Sequence, residues 1–405
     1  MHQLCVSEWL GIEEDTSRIL RLNSPAGGWF PALQNLSWYI AYHNLPYVAL
    51  SFTPHLKSIS ISLSLTWFTY GTPHEHLPSI ASAISALPAS ALQLLHVDCG
   101  PRRMPWAHFK DSISSVVLRC GSSLTEFASP TALSDAAVDH LIQLPNLRTL
   151  RIKGPPPGYY TLSPPPIFPP LVELTLGKRA ARGWLSLFER LESRVSLPQY
   201  TTPLSKLKGS LKSLKVEAFP DLIVDGSLTF PIRIFYNLVD LKVEVFCGSY
   251  GDDRCSFKLN NANVTELAMA LPRLESFLLG NPCGENSCAT TVACLVPISI
   301  HCVKLGRLEV HFNTTNIVND LKDISADSRF QQLRSLPRCT LTRLDTYEMP
   351  LILDESGFET VVLGMAGIFP SLEYCSGYWR IWDEISDRIE EIRKHDTLQV
   401  SCWGV

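Results

Sequence analysis

Four cysteines and one histidine that cluster late in the chain could, by residue type, hold a zinc ion. They are Cys283, Cys288, Cys294, Cys302 and His301. Structural zinc sites usually contain two ligand pairs, each pair separated by about two to four residues. Here four, five and seven residues separate successive cysteines. The spacing therefore predicts no metal site, and we expect most of the twelve cysteines to be reduced core thiols.

Other kinds of chemistry find little support in the sequence. It contains no G-x-S-x-G, G-x-x-x-x-G-K-[ST], G-x-G-x-x-G or H-E-x-x-H motif. We therefore expect no catalytic residue and no cofactor. A net charge of -4 argues against nucleic acid as a partner. No apolar run is long enough to span a membrane, and Met1 begins no signal peptide, so we expect a soluble cytoplasmic or nuclear protein that is not secreted.

Recognition of another protein is the remaining kind of function, and its candidate residues are polar side chains that alternate with leucines in short repeated phrases. Signs of charge are mixed among them, which suits a protein partner better than a polyanion. The alternative is that each is a solvated strand residue without a ligand. The predicted binding residues are Arg151, Lys153, Glu173, Lys215, Lys242, Arg307, Glu309, His311, Arg343, Asp345 and Tyr347.

The elements that carry these residues follow from a phrase of the form L-x-x-L-x-L. Its clearest copy begins at Leu147, and its second half alternates apolar and polar residues, as a short strand with one buried face does. About eleven copies recur at irregular intervals, mostly in the twenties and thirties of residues. The copies start near Leu56, Leu92, Leu124, Leu147, Leu171, Leu211, Leu238, Leu274, Leu305, Leu341 and Leu372.

Helical patterns separate the phrases. Ser134 to Leu144 starts with a Ser N-cap and an acidic first turn, and similar apolar periodicity marks Trp184 to Val195 and Asn263 to Leu271. One strand and one helix per repeat stack into a solenoid because neither can bury its apolar face alone. The predicted fold class is α/β: a leucine-rich-repeat solenoid with a concave parallel sheet and outer helices.

The predicted domain organisation follows from the irregular segments. Residues 1–29 form an N-terminal lead-in or cap, 30–378 the solenoid, and 379–405 a C-terminal amphipathic capping helix and tail. Two insertions are predicted to be loops, at 154–170, where two Pro-Pro-Pro runs exclude helix, and at 248–263, which is polar and turn-rich.

Four segments resemble the leucine-rich F-box-like proteins of mushroom-forming (basidiomycete) fungi. The resemblance covers nearly the whole chain in order. Its segments are Phe30 to Trp38, Leu133 to Leu141, Leu271 to Gly280 and Ile368 to Tyr374.

The resemblance implies a function in ubiquitin transfer. In that family an N-terminal F-box docks a Skp-type adaptor, and the repeats present a protein substrate to a cullin-based ubiquitin ligase. Before Phe30 there are 29 residues, and they supply no recognisable F-box. We therefore expect a Skp-type adaptor as partner only if an F-box lies upstream of Met1. Otherwise the chain is a stand-alone repeat scaffold, and in both cases its protein ligand is unknown.

Overall fold

The computed structural model describes residues 3–6, 29–40, 52–63, 77–99, 109–152, 169–177, 183–184, 206–218, 224–245, 258–280, 289–327, 339–346, 351–377 and 380–402. The chain divides into two compact units, Met1–Ser210 and Leu211–Val405. Each unit is built of strands that follow one another in sequence, with helices between them. The fold is therefore α/β.

The first unit contains seven strands and three helices with complete bounds among its described residues, and residues 183–184 and 206–210 are helical as well. Each strand pairs in parallel with the next strand along the chain. The strands are β1 (Gln3–Val6), β2 (Asn35–Ile40), β3 (Ser58–Leu63), β4 (Leu94–Cys99), β5 (Glu126–Ser129), β6 (Thr149–Ile152) and β7 (Glu173–Leu176). The helices are α1 (Leu77–Ser85), α2 (Lys110–Arg119) and α3 (Asp135–Gln143).

The second unit repeats this organisation, and its described residues form six strands, again all parallel and in sequence order. They are β8 (Ser213–Ala218), β9 (Asp240–Val245), β10 (Ser276–Gly280), β11 (Arg307–Val310), β12 (Arg343–Asp345) and β13 (Tyr374–Ser376). Its described helices are α4 (Gly226–Ile232), α5 (Asn261–Ala270), α6 (Leu295–His301), α7 (Ile317–Ala326), α8 (Glu355–Ile368) and α9 (Ile381–Cys402).

The leucines of the repeated phrase form the core, as predicted. The middle apolar residue of each strand lies in register with its counterpart on the neighbouring strands, so one buried row crosses each unit. In the first unit the row is Leu36, Ile59, Leu95, Phe127, Leu150 and Leu174. In the second it is Leu214, Leu241, Phe277, Leu308, Leu344 and Cys375. Burial of one such leucine stabilises the fold by about 1.5–3 kcal/mol.

Backbone hydrogen bonds hold the repeats in this register. The carbonyl oxygen of a residue that precedes one strand accepts from two successive amides of the next repeat. The oxygen of Thr125, for example, accepts from the amides of Arg148 at 2.7 Å and Thr149 at 3.1 Å. The oxygen of Gly306 does the same for Thr342 and Arg343, both at 3.1 Å. Because this arrangement recurs, equivalent positions of successive repeats lie side by side.

Helix α3 shows how local sequence sets the helix bounds. The hydroxyl of Ser134 accepts a hydrogen bond from the amide of Ala137 at 3.3 Å, which satisfies one of the amides left open at a helix N-terminus. The helix buries Val138, Leu141 and Ile142 and ends before Pro145. These are the bounds that the sequence predicts, within one residue at each end.

The C-terminal helix α9 packs against β13 and α8. Its apolar residues Trp382, Ile385 and Ile389 are buried. The hydroxyl of Ser386 accepts a hydrogen bond from the amide of Cys375 in β13 at 3.1 Å. None of the described helices is both long and apolar enough to cross a membrane.

Two features were not expected from the sequence. The described residues contain thirteen strands: β1 and β2 precede the eleven predicted copies, and β1 lies within the segment 1–29 that is predicted as a lead-in or cap. Helix α5 begins at Asn261, inside the predicted loop 248–263, because Asn260 and Asn263 form a capping box there. Most of loop 154–170 and of the helix predicted after Trp184 lies outside the described residues.

Candidate protein-binding face

The side chains that alternate with the buried row form a second surface on the sheet of the second unit, which we call the open face. Register places them in two rows across strands β8 to β13. The first row is Ser213, Asp240, Ser276, Arg307, Arg343 and Tyr374, and the second is Lys215, Lys242, Leu278, Glu309, Asp345 and Ser376.

Two arginines and two carboxylates meet at β11 and β12. Register sets Arg307 beside Arg343 and Glu309 beside Asp345. The guanidinium of Arg307 pairs with Glu309, and its Nε lies 3.5 Å from Oδ2 of Asp345. The Nε of Arg343 donates to both carboxylate oxygens of Asp345, at 3.1 and 2.9 Å. We call these four residues the arginine–carboxylate cluster.

The cluster is layered by depth. The two arginine side chains are about half exposed, at 48% and 49%, whereas those of Glu309 and Asp345 are each 11% exposed. The carboxylates therefore lie beneath the guanidinium groups and hold them in place by charge-assisted hydrogen bonds. The hydrogen bonds and charge of Asp345 also raise the pKa of Arg343, so its guanidinium stays protonated.

Two residues that are not among the predicted binding residues complete this site. The ring of Tyr374 is 46% exposed and lies under the guanidinium of Arg343, at 5.5 Å from ring centroid to Cζ. The hydroxyl of Ser376 donates to Asp345. Tyr374 lies two residues and Ser376 four residues after Leu372. Arg343 and Asp345 have the same spacing from Leu341, so the repeat phrase could have identified both residues. The predicted Tyr347 lies outside the described residues.

A second charged group lies at β8 and β9. The amine of Lys215 lies 3.4 Å from Glu217 and 2.9 Å from Glu244. Burial lowers the pKa of Lys215, but hydrogen bonds and charges from the two carboxylates outweigh it, so the net effect raises the pKa. Lys242, half-buried, lies in register with Lys215. The open face thus carries both positive and negative side chains, many of them in ion pairs.

His311, predicted to face outward, does not lie on the exposed surface. It follows β11 and is only 5% exposed. Burial disfavours the imidazolium and lowers the pKa of His311 to about 4. The side chain is therefore neutral at physiological pH and cannot supply a positive charge to a ligand.

In the first unit, the predicted residues are fewer. Arg151 on β6 lies 3.6 Å from Glu173 on β7, and both are about half exposed. An unpredicted pair, His96 and Glu126, is joined at 2.7 Å across β4 and β5. Lys153 lies outside the described residues. Exposed ion pairs of this kind contribute little to stability, so their position on the sheet is compatible with either recognition or simple solvation.

The cysteines that prompted the zinc hypothesis are only partly described. Cys294 and Cys302 are buried, while Cys283 and Cys288 lie outside the described residues. Burial raises the pKa of Cys302 to about 12, so this thiol stays protonated and is a poor metal ligand. Within the described ranges, no three His, Cys, Asp or Glu side chains converge on a point that could hold a metal ion.

Comparison with known proteins shows a weak likeness to solved structures. No protein-family model matches the chain, and no curated protein matches it. A chain of the crystal structure of the Rad7 and Elc1 complex in yeast is similar over 84% of this chain and 84% of its own length, with 14% sequence identity and a TM-score of 0.33. A TM-score this low supports no conclusion about function. The assignment to the leucine-rich-repeat type of fold depends on the repeated parallel strands and the buried leucine rows.

Proposed function

We propose that this chain is a non-catalytic protein-recognition domain that binds its partner on the open face of the second unit. The observation that carries the proposal is the arginine–carboxylate cluster with Tyr374 beside it. Arginine and tyrosine are the side chains most often found at energetic hot spots of protein interfaces. Three such side chains lie side by side here, about half exposed, and their positions are fixed by contacts within the sheet.

The depth of the acidic residues supports the same proposal. A solvated ion pair on a strand normally leaves both partners exposed and mobile. Here Glu309 and Asp345 are largely buried, and Asp345 accepts from Arg343 and Ser376. A guanidinium held in this way loses less conformational entropy on binding than a free one does.

Within this function, the finer proposal is a substrate receptor of a Skp-cullin-type ubiquitin ligase. Its support is the family resemblance of four segments, from Phe30 to Tyr374. The alternative is a stand-alone repeat scaffold without a ligase partner. Both use the same binding face and differ only in whether an adaptor is recruited.

Binding can be tested with random peptides displayed on phage and selected on the full chain. The selected peptides are then measured against Lys215→Glu and Arg307→Glu, which alter the open face, and against Arg380→Glu, which alters an exposed arginine directly before α9. We expect Arg307→Glu to weaken binding by about tenfold or more, a typical hot-spot loss, and Arg380→Glu to change it less than about twofold. The proposed face would be contradicted if all three variants weakened peptide binding equally, or if none of them changed it.

The ligase proposal has its own measurement. A purified Skp-type adaptor is titrated against the full chain, and against a longer chain if the transcript extends upstream of Met1. Saturable binding supports the substrate-receptor function. If neither chain binds the adaptor, the stand-alone scaffold is the remaining form of the proposal.

A further inference from the structure

We infer that the arginine–carboxylate cluster binds an unmodified Asp or Glu side chain of an extended protein segment. This inference rests on the proposed function, because it specifies the chemistry of the partner at the same face. Three features lead to it: the side-by-side arrangement of Arg307 and Arg343, the unused donors of Arg343, and the charge already present beneath them.

The donors that remain define the geometry of the ligand group. Each guanidinium carries five N–H donors in a planar fork, which matches the two oxygens of a carboxylate. Arg343 uses its Nε for Asp345, and within the described part of the chain its two Nη groups donate no hydrogen bond. The guanidinium of Arg307 lies on the adjacent strand in register, with its Nε and one Nη group against Asp345 and Glu309. The Nη groups of Arg343 and the second Nη group of Arg307 can therefore contact one carboxylate together.

Among anions, the charge balance favours a monovalent over a divalent one. Two guanidinium groups and two carboxylates sum to zero, so an incoming carboxylate leaves one excess negative charge in the site. A phosphate leaves up to two, close to Glu309 and Asp345, which are too buried for water to screen them well. An Asp or Glu side chain therefore fits the site better than a phosphoserine.

Tyr374 extends the site along the strand ladder. Tyr374 lies on β13, the next strand after β11 and β12, and its exposed ring lies beside Arg343. A segment that crosses these strands would place its acidic side chain over the two arginines and an apolar residue against the ring. We therefore expect an acidic residue with an apolar neighbour in the bound sequence.

The experiment uses the peptides selected on the full chain. The tightest peptide is synthesised in its original form, with the acid changed to the corresponding amide, and with phosphoserine at that position. We expect the amide to weaken binding to the wild-type chain by about tenfold. Against Arg307→Gln/Arg343→Gln the original and amide forms should bind within about twofold of each other, because the coupling partner is gone. Phosphoserine should bind more weakly than the acid.

Further variants separate loss of recognition from loss of folding. Arg307→Lys and Arg343→Lys keep the positive charge over Glu309 and Asp345 but lose the planar fork of donors. We expect these variants to distinguish the acid peptide from the amide peptide less well than the wild-type chain does. Thermal unfolding of each variant shows that it is folded, and Arg380→Gln serves as the control. An amide peptide that binds the wild-type chain as well as the acid overturns the inference, as does tighter binding of phosphoserine. If the open-face variants still weaken that peptide, the proposed function stands. A selection that enriches no sequence contradicts both.

Discussion

His311 is predicted to face outward as a binding residue, but it is buried. It is neutral in the folded state because its pKa is about 4, whereas an unfolded histidine has a pKa near 6.5. Between pH 6.5 and pH 4 the unfolded state therefore binds a proton that the folded state does not. The stability that the neutral His311 contributes is complete above pH 6.5 and is lost as the pH falls toward 4. We expect this one group to cost about 2–3 kcal/mol of stability between pH 7.5 and pH 4.5.

The measurement is urea unfolding of the wild-type chain and His311→Gln at both pH values. Other groups change stability in both proteins, so the difference between them isolates the histidine. We expect the variant to lose less stability on acidification than the wild type does. Equal losses would show that His311 is protonated as readily in the folded chain as in the unfolded chain.

Gly377 is a second residue whose surroundings decide its identity. A Cβ atom there would lie 2.5 Å from Cδ1 of Trp382 and 2.7 Å from Oγ1 of Thr346. Since Trp382 is fully buried, we expect Gly377→Ala to lower the free energy of unfolding by about 1–3 kcal/mol. Gly209→Ala is the matched control, because a Cβ there meets nothing within 4 Å. Chemical denaturation of both variants tests this, and equal stability would contradict the packing around α9.

At the scale of the element, capping fixes where helix α8 begins. The Oδ1 atom of Asp354 accepts a hydrogen bond from the amide of Gly357 at 2.7 Å. We expect Asp354→Ala to lower the free energy of unfolding by about 1 kcal/mol, and Asp354→Asn to retain most of it because the amide oxygen can accept the same bond. Urea unfolding of the two variants decides this. Similar losses in both would point to the charge rather than the cap.

Elements were also the level at which sequence prediction succeeded best. The strands near Leu147 and Leu305 follow from alternation of apolar and polar residues, and α3 follows from Ser134 and Pro145. The sequence does not indicate β1, because Gln3–Val6 lacks the repeated phrase and only its pairing with β2 identifies it. Nor does it indicate the start of α5, because Asn260 and Asn263, which form the cap, lie in a polar, turn-rich segment.

At the scale of the whole molecule, burial should govern cysteine reactivity. Cys5 is exposed, whereas Cys120, Cys294, Cys302, Cys339 and Cys375 are buried. Burial raises the pKa of Cys120, Cys302 and Cys375 to about 12 and that of Cys339 to about 11, so their thiolates are scarce at neutral pH. We expect an alkylating reagent to modify Cys5 in the native chain and these four only after unfolding. Mass spectrometry of the digested protein locates the labels, and fast native labelling of Cys302 would contradict the core described here.

The sequence by itself determined the repeat, its α/β class and the buried leucines, because each of these depends on residues that are close together in the chain. Alternation along a strand and caps at a helix end are local patterns. The sequence also placed four polar residues at matching positions of two repeats. Arg307 and Arg343 lie two residues, and Glu309 and Asp345 four residues, after the leucine that begins the phrase.

Only the tertiary structure decided which of these side chains meet and how deeply they lie. Arg307 contacts Asp345, and Arg343 contacts Tyr374, only because register aligns strands separated by irregular connections. His311, Glu309 and Asp345 carry polar side chains yet are buried, and nothing in their local sequence indicates this. Lateral packing between successive repeats sets both outcomes, and that packing depends on residues about thirty positions apart.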